Sequence, residues 1–64
     1  SRIQEYEADH IGIVLAKQAG YDPKAALTFW EKFAKSGETP PEYLSTHPAP
    51  HNRIDKIKNI LRGL

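Results

Sequence analysis

The sequence Glu5-Tyr6-Glu7-Ala8-Asp9 lies near the start of the chain and places carboxylates four residues apart. Residues at this spacing lie one above the other on a helix, so Glu5 and Asp9 point the same way. Glu7 is about 200° from Glu5 at about 100° per residue and points to the opposite side. A Glu and an Asp at this spacing can form part of a divalent metal site. Glu5 can give an oxygen to the ion, while Asp9 orients another ligand through a hydrogen bond. The alternative is a solvated pair on a surface helix, because charged helix faces are common.

A first helix is predicted over residues 2–19. Ser1 suits the N-cap position, with Gln4 as its capping-box partner, and Gly20 suits the position just after the helix end. Small residues lie within about 60° of Glu5 and predict a groove in which another helix backbone can lie close: Ala8, Gly12, Ala16 and Ala19. Apolar residues cover most of the remaining circumference, which is typical of a buried helix: Ile3, Ile11, Ile13, Val14 and Leu15. The first helix is therefore expected to pack against more structure than two short helices supply.

Two further helices are predicted over residues 23–35 and 50–62. Asp22-Pro23 is typical of an N-cap followed by the first helical residue. The apolar residues of both helices recur at three- and four-residue spacing and predict core faces: Ala26, Leu27, Trp30, Phe33 and Ala34, then Ile54, Ile57, Ile60, Leu61 and Leu64. Phe29 and Trp30 could instead line a substrate groove, although aromatic residues at this spacing usually lie in a core.

Residues 38–50 are predicted to form a loop, because four prolines exclude a continuous helix. One helical turn is expected at residues 41–44, where Tyr43 and Leu44 would pack the loop onto the helices. The predicted fold class is all-α: a single domain over residues 1–64, made of three helices with a Pro-rich loop between the second and the third.

The composition excludes several classes of protein. The chain has 64 residues, a formal net charge of +1 and no cysteine, so neither a disulfide framework nor a cysteine-based zinc site can stabilise it. It has no basic run with interleaved aromatic residues, so no nucleic-acid partner is expected. It has no apolar run near the ~20 residues that span a bilayer, so any membrane association would come from a longer parent protein alone. A domain of this size buries only about 60% of its unfolded surface and is marginally stable by itself.

Three segments in order resemble the HtpX, BepA and CAAX-prenyl-protease family of zinc metallopeptidases. The segment from Ser1 to Gly12 is similar to the family pattern S-R-x-x-E-[YF]-x-A-D-x-x-[GA], which follows the catalytic helix. Residues 19–23 together with Phe29-Trp30 are similar to the next helix of the BepA-like branch. Residues 44–48 followed by Asn52-Arg53-Ile54 resemble its S-T-H-P-x-x-x-x-R-[IL] segment. These matches span nearly the whole chain.

The resemblance implies roles for four residues. Glu5 falls on the third zinc ligand, and Asp9 falls on the acidic residue that orients a ligand. His47 falls on a histidine beside the zinc, which would fill the fourth coordination position or donate to the oxyanion of the reacting carbonyl. Arg53 falls on the family arginine and would bind Asp9 or the loop carbonyls. The alternatives are a histidine that caps the loop and an exposed surface arginine.

The family's H-E-x-x-H motif, which supplies two histidine ligands and the general base, does not occur in this sequence. His10 lies about 140° from Glu5 on the predicted helix and is expected at a surface or interface, and His51 is expected to face solvent. The chain therefore resembles the C-terminal part of a metallopeptidase catalytic domain, whose partner is the missing H-E-x-x-H portion.

By the same resemblance, the parent protein would be a zinc-dependent metalloendopeptidase, a hydrolase that acts on protein or peptide substrates and binds one Zn²⁺ per catalytic domain. Its place would be extracytoplasmic, in the bacterial periplasm or envelope, in protein quality control. The isolated chain is expected to be inactive, because zinc normally needs three or four protein ligands. The alternative function is a free-standing helical interaction module without metal, whose first helix would be covered.

Overall fold

The computed structural model describes residues 1–64 and contains four α-helices and no strands. The helices are α1 (Arg2–Gln18), α2 (Ala25–Ser36), α3 (Pro41–Thr46) and α4 (Pro50–Arg62). The predicted all-α class is confirmed, and the predicted third helix corresponds to α4. The structure adds α3 to the three predicted helices, because the single turn expected at residues 41–44 continues to Thr46. Pro41 occupies the first turn of α3, where its missing N–H is not needed, and the His47 N–H closes the helix on the Tyr43 carbonyl at 2.8 Å.

The ends of α1 follow the predicted capping pattern. The Ser1 hydroxyl accepts a hydrogen bond from the Gln4 N–H, and the Gln4 side chain accepts one from the Ser1 amino group, which completes the capping box. At the other end, the Tyr21 N–H donates to the Ala16 carbonyl and the Gly20 N–H donates to the Lys17 carbonyl. Gly20 has a φ of 90°, and this pair of bonds is the Schellman arrangement that ends a helix at glycine.

The second helix begins at Ala25, so the predicted start at residue 23 is wrong. The Asp22 carboxylate accepts a hydrogen bond from the Lys24 N–H at 2.9 Å, and the Asp22 carbonyl accepts one from the Ala25 N–H. These bonds close a separate turn over Asp22, Pro23 and Lys24 before the helix starts. Asp22 thus stabilises a side-chain turn of the type that competes with helix capping.

The helix α4 packs most extensively on α2 and has a smaller contact with α1. The buried apolar core is small and centres on Ile13 of α1 and Ile57 of α4, with Pro48 and Pro50 buried beside them. The core residues predicted on α2 are only half-buried at Leu27, Trp30 and Phe33, and Ala34 is exposed. A core of this size is in keeping with the marginal stability expected of so short a chain.

One face of α1 remains uncovered. Ile3, Ile11 and Leu15 are 69%, 60% and 57% exposed, although the sequence predicts a helix buried nearly all round. The opposite face carries Ile13 and packs on α4, where Lys56 also lies over the Tyr6 ring at 5.0 Å. None of the helices combines the length and the apolar character that crossing a membrane requires.

Candidate functional site

Arg53 is the only buried charged side chain, at 8% exposed, and it joins α4 to α1. Its Nε donates to Asp9 Oδ2 at 2.9 Å and its Nη2 donates to Asp9 Oδ1 at 2.7 Å, a bidentate pair. Its Nη1 donates to Glu5 Oε1 at 3.3 Å and to the Tyr43 hydroxyl at 3.4 Å. The structure therefore brings Arg53 to both predicted carboxylates. It does not bring Arg53 to the loop carbonyls, the other partner that the sequence suggested.

His47, in the loop between α3 and α4, contacts the carboxylate of Glu5. Its Nδ1 lies 2.7 Å from Glu5 Oε1, across 42 residues of sequence. An ionised carboxylate only accepts hydrogen bonds, so Nδ1 carries the proton and donates it, which leaves Nε2 as the nitrogen with a lone pair in the neutral ring. The four predicted site residues thus form one connected cluster: Glu5, Asp9, His47 and Arg53. His10 and His51 are exposed and lie outside it.

An aromatic ring lies against each of the two basic groups. The guanidinium carbon of Arg53 lies 4.1 Å from the centre of the Trp30 ring, within the range of a cation–π contact. The Tyr43 ring stacks on the His47 ring with centres 4.5 Å apart and an angle of 27°. Phe33 contacts both aromatic rings, at 5.5 Å from Trp30 and 6.0 Å from Tyr43. The cluster is therefore supported from α2 as well as from α3.

Sequence reasoning missed Arg2 as a support of the His47 loop. The Arg2 Nη2 donates to the carbonyls of Leu44 and Ser45, both at 3.1 Å, near the end of α3. Both carbonyls belong to residues 38–50, the segment that the sequence predicts as the loop. The only signal in the sequence was the position of Arg2 in the Ser-Arg pair that begins the first motif. It gave no indication of a contact with a segment more than 40 residues away.

Burial and charge act in opposite directions on Arg53. Burial lowers the pKa of the Arg53 guanidinium, but the hydrogen bonds and charge of Asp9, with a further contribution from Tyr43, raise that pKa above its usual value. Arg53 is therefore a permanent cation between the two carboxylates. Each oxygen of Asp9 accepts one of the Arg53 N–H groups, and a carboxylate oxygen can accept about two hydrogen bonds. Asp9 thus keeps the capacity to accept another donor, such as a ligand histidine.

The donors of this chain can supply part of a metal site but not a whole one. No group of three or more His, Asp or Glu side chains lies close enough together to hold an ion. All hydrogen bonds to Glu5 involve Oε1, so Oε2 retains its lone pairs, and 27% of the Glu5 side chain is exposed. A carboxylate oxygen and an imidazole nitrogen are both ordinary zinc donors. Glu5 therefore fits a zinc ion through Oε2 if other residues complete the ligand set, whereas His47, bonded to Glu5 through Nδ1, could join the same ion through Nε2 only after its ring turns away from Glu5.

A groove of about 420 Å³ lies next to Asp9 of the cluster, along the face of small residues on α1. Ala8, Gly12 and Ala16 form one wall, whereas Ala19 does not contribute. Trp30 lines the groove while its ring also contacts Arg53. Trp30 is thus partly a core residue and partly a groove residue, so both of its predicted roles apply in part. Phe29 lies outside the groove, with 58% of its surface exposed.

The chain belongs to Peptidase family M48, whose sequence profile matches residues 1–61. It is 50% identical over 54 residues to the mitochondrial metalloendopeptidase OMA1 of Arabidopsis thaliana, a match that covers 83% of this chain and 11% of that protein. It is 45% identical over 58 residues to the beta-barrel assembly-enhancing protease of Escherichia coli K12, covering 86% of this chain and 12% of that protein. The family resemblance predicted from the sequence is thereby confirmed.

A third relative, the mitochondrial metalloendopeptidase OMA1 of Schizosaccharomyces pombe, is 45% identical over 64 residues, which cover 95% of this chain and 19% of that protein. The chain thus spans only about a tenth to a fifth of the length of these relatives. No solved structure gives a significant match.

Proposed function

We propose that this chain is the third-ligand segment of a zinc-dependent metalloendopeptidase that hydrolyses peptide bonds in protein or peptide substrates. Membership of Peptidase family M48 supports the class of enzyme. The observation that carries the proposal is the convergence of Glu5, Asp9, His47 and Arg53, which come from three separate parts of the chain. A surface pair of carboxylates would not need a buried arginine and a histidine from a distant loop.

In this proposal, Glu5 gives a carboxylate oxygen to the zinc, and two histidines of an H-E-x-x-H portion outside this chain give the other protein ligands. When bound, zinc in such a site activates water for attack on a peptide carbonyl. Asp9 accepts a hydrogen bond from a ligand histidine and so orients the ring. Arg53 holds Asp9 and Glu5 in their relative positions through its three N–H groups.

The proposed role of His47 follows from its place beside Glu5. The bond from Nδ1–H to Glu5 directs Nε2 away from that carboxylate, so the ring would have to turn before Nε2 could bind the same ion or, as N–H, donate to the oxyanion of the reacting carbonyl. The first role would hold back the resting enzyme, because a catalytic zinc needs an open position. The resemblance to the BepA-like branch favours this inhibitory role.

The exposed face of α1 supports the peptidase proposal over the alternative of a free-standing interaction module. A module that functions alone is expected to cover the first helix, whereas Ile3, Ile11 and Leu15 are each more than half exposed. A catalytic domain that extends beyond this chain would supply atoms to pack on this face. The alternative remains testable, because a module without metal should bind no zinc in its full-length form.

We extend the proposal to location and process: an envelope-associated enzyme outside the bacterial cytoplasm that acts in protein quality control. The similarity to the beta-barrel assembly-enhancing protease supports this location. Relatives named mitochondrial are about equally similar, so the compartment needs a direct test. Cell fractionation of the source organism should recover the full-length protein with envelope proteins, and recovery in the cytosol or in mitochondria would contradict the proposal.

The proposed ligand role is tested by Glu5→Gln in the full-length protein. Zinc content by atomic emission should fall from about one ion per molecule, and peptidase activity should fall with it, because the amide is a poor zinc ligand. Glu7→Gln is the matched control, since Glu7 lies on the same helix and is exposed. Full zinc content and activity in Glu5→Gln, with the fold unchanged by circular dichroism, would remove Glu5 from the site.

A further inference from the structure

Tyr43 has no assigned role in the chemistry above, yet it contacts both basic groups of the cluster. Its ring stacks on the His47 imidazole, with ring centres 4.5 Å apart. Its hydroxyl lies 3.4 Å from Arg53 Nη1. Its carbonyl accepts the His47 backbone N–H at 2.8 Å, so Tyr43 contacts both the main chain and the ring of His47.

Apart from the contact with Tyr43, few interactions hold the His47 ring in its position. Apart from the bond to Glu5, the His47 side chain makes no hydrogen bond, and 43% of its surface is exposed. Stacked aromatic rings stabilise each other beyond the area that they bury. The Tyr43 ring is itself held by Phe33 of α2, with ring centres 6.0 Å apart. One face of the imidazole thus packs on the Tyr43 ring, which itself contacts α2 through Phe33.

We propose that Tyr43 is a positioning residue for His47, whose ring holds the imidazole against Glu5 and limits how far it can swing away from the candidate metal site. The spacing explains how α3 achieves this, because residues four apart lie on the same face of a helix and His47 directly follows the last turn. The part of this inference that concerns catalysis rests on the proposed function of His47. The order of the His47 ring can be measured independently of that function.

The test measures the access to His47 in the full-length protein by its rate of modification with diethyl pyrocarbonate, read by peptide mass spectrometry. His51 is exposed and lies outside the cluster, so the ratio of the His47 rate to the His51 rate corrects for reagent and time. Tyr43→Leu removes the stacked ring and should raise this ratio roughly two- to tenfold, the range that the loss of one aromatic pair produces. Tyr43→Phe keeps the ring and should stay within about twofold of the wild type.

Phe29→Leu is the matched control, because Phe29 is an aromatic residue of α2 that contacts Trp30 and Phe33 but not His47. It should leave the ratio unchanged. An unchanged ratio in a folded Tyr43→Leu protein would overturn the proposal, and so would an equal rise in Phe29→Leu, which would indicate general loosening. A rise of the same size in Tyr43→Phe would assign the effect to the hydroxyl and overturn the stacking argument. If Tyr43→Leu does not fold, Tyr43→Met replaces it, with the same expected rise.

The catalytic consequence has its own readout. Tyr43→Leu should change kcat in the same direction as His47→Ala, with KM within about twofold, and the double variant should resemble His47→Ala alone because the two residues act as one unit. Additive effects would overturn the positioning role. A full-length protein without zinc or peptidase activity would refute the proposed function, whereas the modification ratio would still decide whether Tyr43 holds the His47 ring.

Discussion

Replacing Arg53 by glutamine should loosen the contact between α1 and α4, because Arg53 is the buried charged side chain that joins these two helices. A glutamine side chain at this position could not form the bidentate pair with Asp9, and the substitution would remove the positive charge that faces Glu5. Asp9 has a side chain that is 17% exposed and would be left as a carboxylate with little access to water. The cation–π contact with Trp30 would be lost as well.

The expected loss of stability in Arg53→Gln follows from the burial of Arg53 and Asp9. Breaking a buried ion pair by removing one partner costs about 3–5 kcal/mol when both groups are fully buried. Partial exposure of Asp9 reduces the cost, so we expect about 2–3 kcal/mol for Arg53→Gln. Arg53→Lys should cost less, because it keeps the charge, but it should not match the wild type, since an ammonium cannot replace the fork geometry of a guanidinium.

Hydrogen exchange with mass spectrometry on the full-length protein measures this loss locally. A change of about 2–3 kcal/mol corresponds to roughly 30- to 150-fold faster exchange in peptides of α1 and of the first turns of α4. Arg62→Gln is the matched control, because Arg62 is exposed and bonds only to Asn59 on its own helix. Exchange rates in Arg53→Gln that equal those in Arg62→Gln would refute the reasoning, and so would additive effects of Arg53→Gln and Asp9→Asn, since residues in direct contact should be coupled.

Two further predictions concern the chemistry of the full-length protein. Asp9→Asn should keep the fold but lower zinc affinity or peptidase activity by ~10–100-fold, because the amide orients a ligand histidine less firmly; wild-type zinc content and activity would remove Asp9 from the site. His47→Ala should raise basal activity if Nε2 fills the fourth zinc position at rest, whereas a fall in kcat of roughly 10²–10³-fold would assign the oxyanion role instead. Activity within about twofold of the wild type, with zinc retained, would mean that His47 has neither role.

The helices were predictable where local signals agree. The capping box at Ser1 and the glycine after Ala19 define the two ends of α1, and both signals depend only on neighbouring residues. The sequence predicts the start of α2 wrongly because Asp22 can either cap a helix or stabilise a separate side-chain turn. In the structure it forms the turn, by accepting the Lys24 N–H. The full length of α3 was not predicted, because it depends on bonds to Pro40 and His47 at the edges of a Pro-rich segment.

The members of the cluster were predictable only through the family resemblance. Periodicity places Glu5 and Asp9 on one face of a helix, but it cannot say that His47 and Arg53 lie opposite them, because no local rule relates residues more than 40 positions apart. The supporting residues were harder still to predict. Arg2, Trp30 and Tyr43 have ordinary interpretations as a surface cation and core aromatic rings, and only the tertiary structure reveals which polar group each one contacts.

The geometry around Glu5 suits the ligand role proposed for this residue. His47 and Arg53 both donate to Oε1, at 2.7 Å and 3.3 Å, so two hydrogen bonds hold this oxygen. Oε2 accepts no hydrogen bond and keeps its lone pairs. His47 lies on Tyr43, Arg53 lies on Trp30, and Phe33 contacts both rings, so the two donors share one support on α2. A ligand held in this way loses little freedom when it binds an ion, which is the physical advantage of ordering the carboxylate from the protein side.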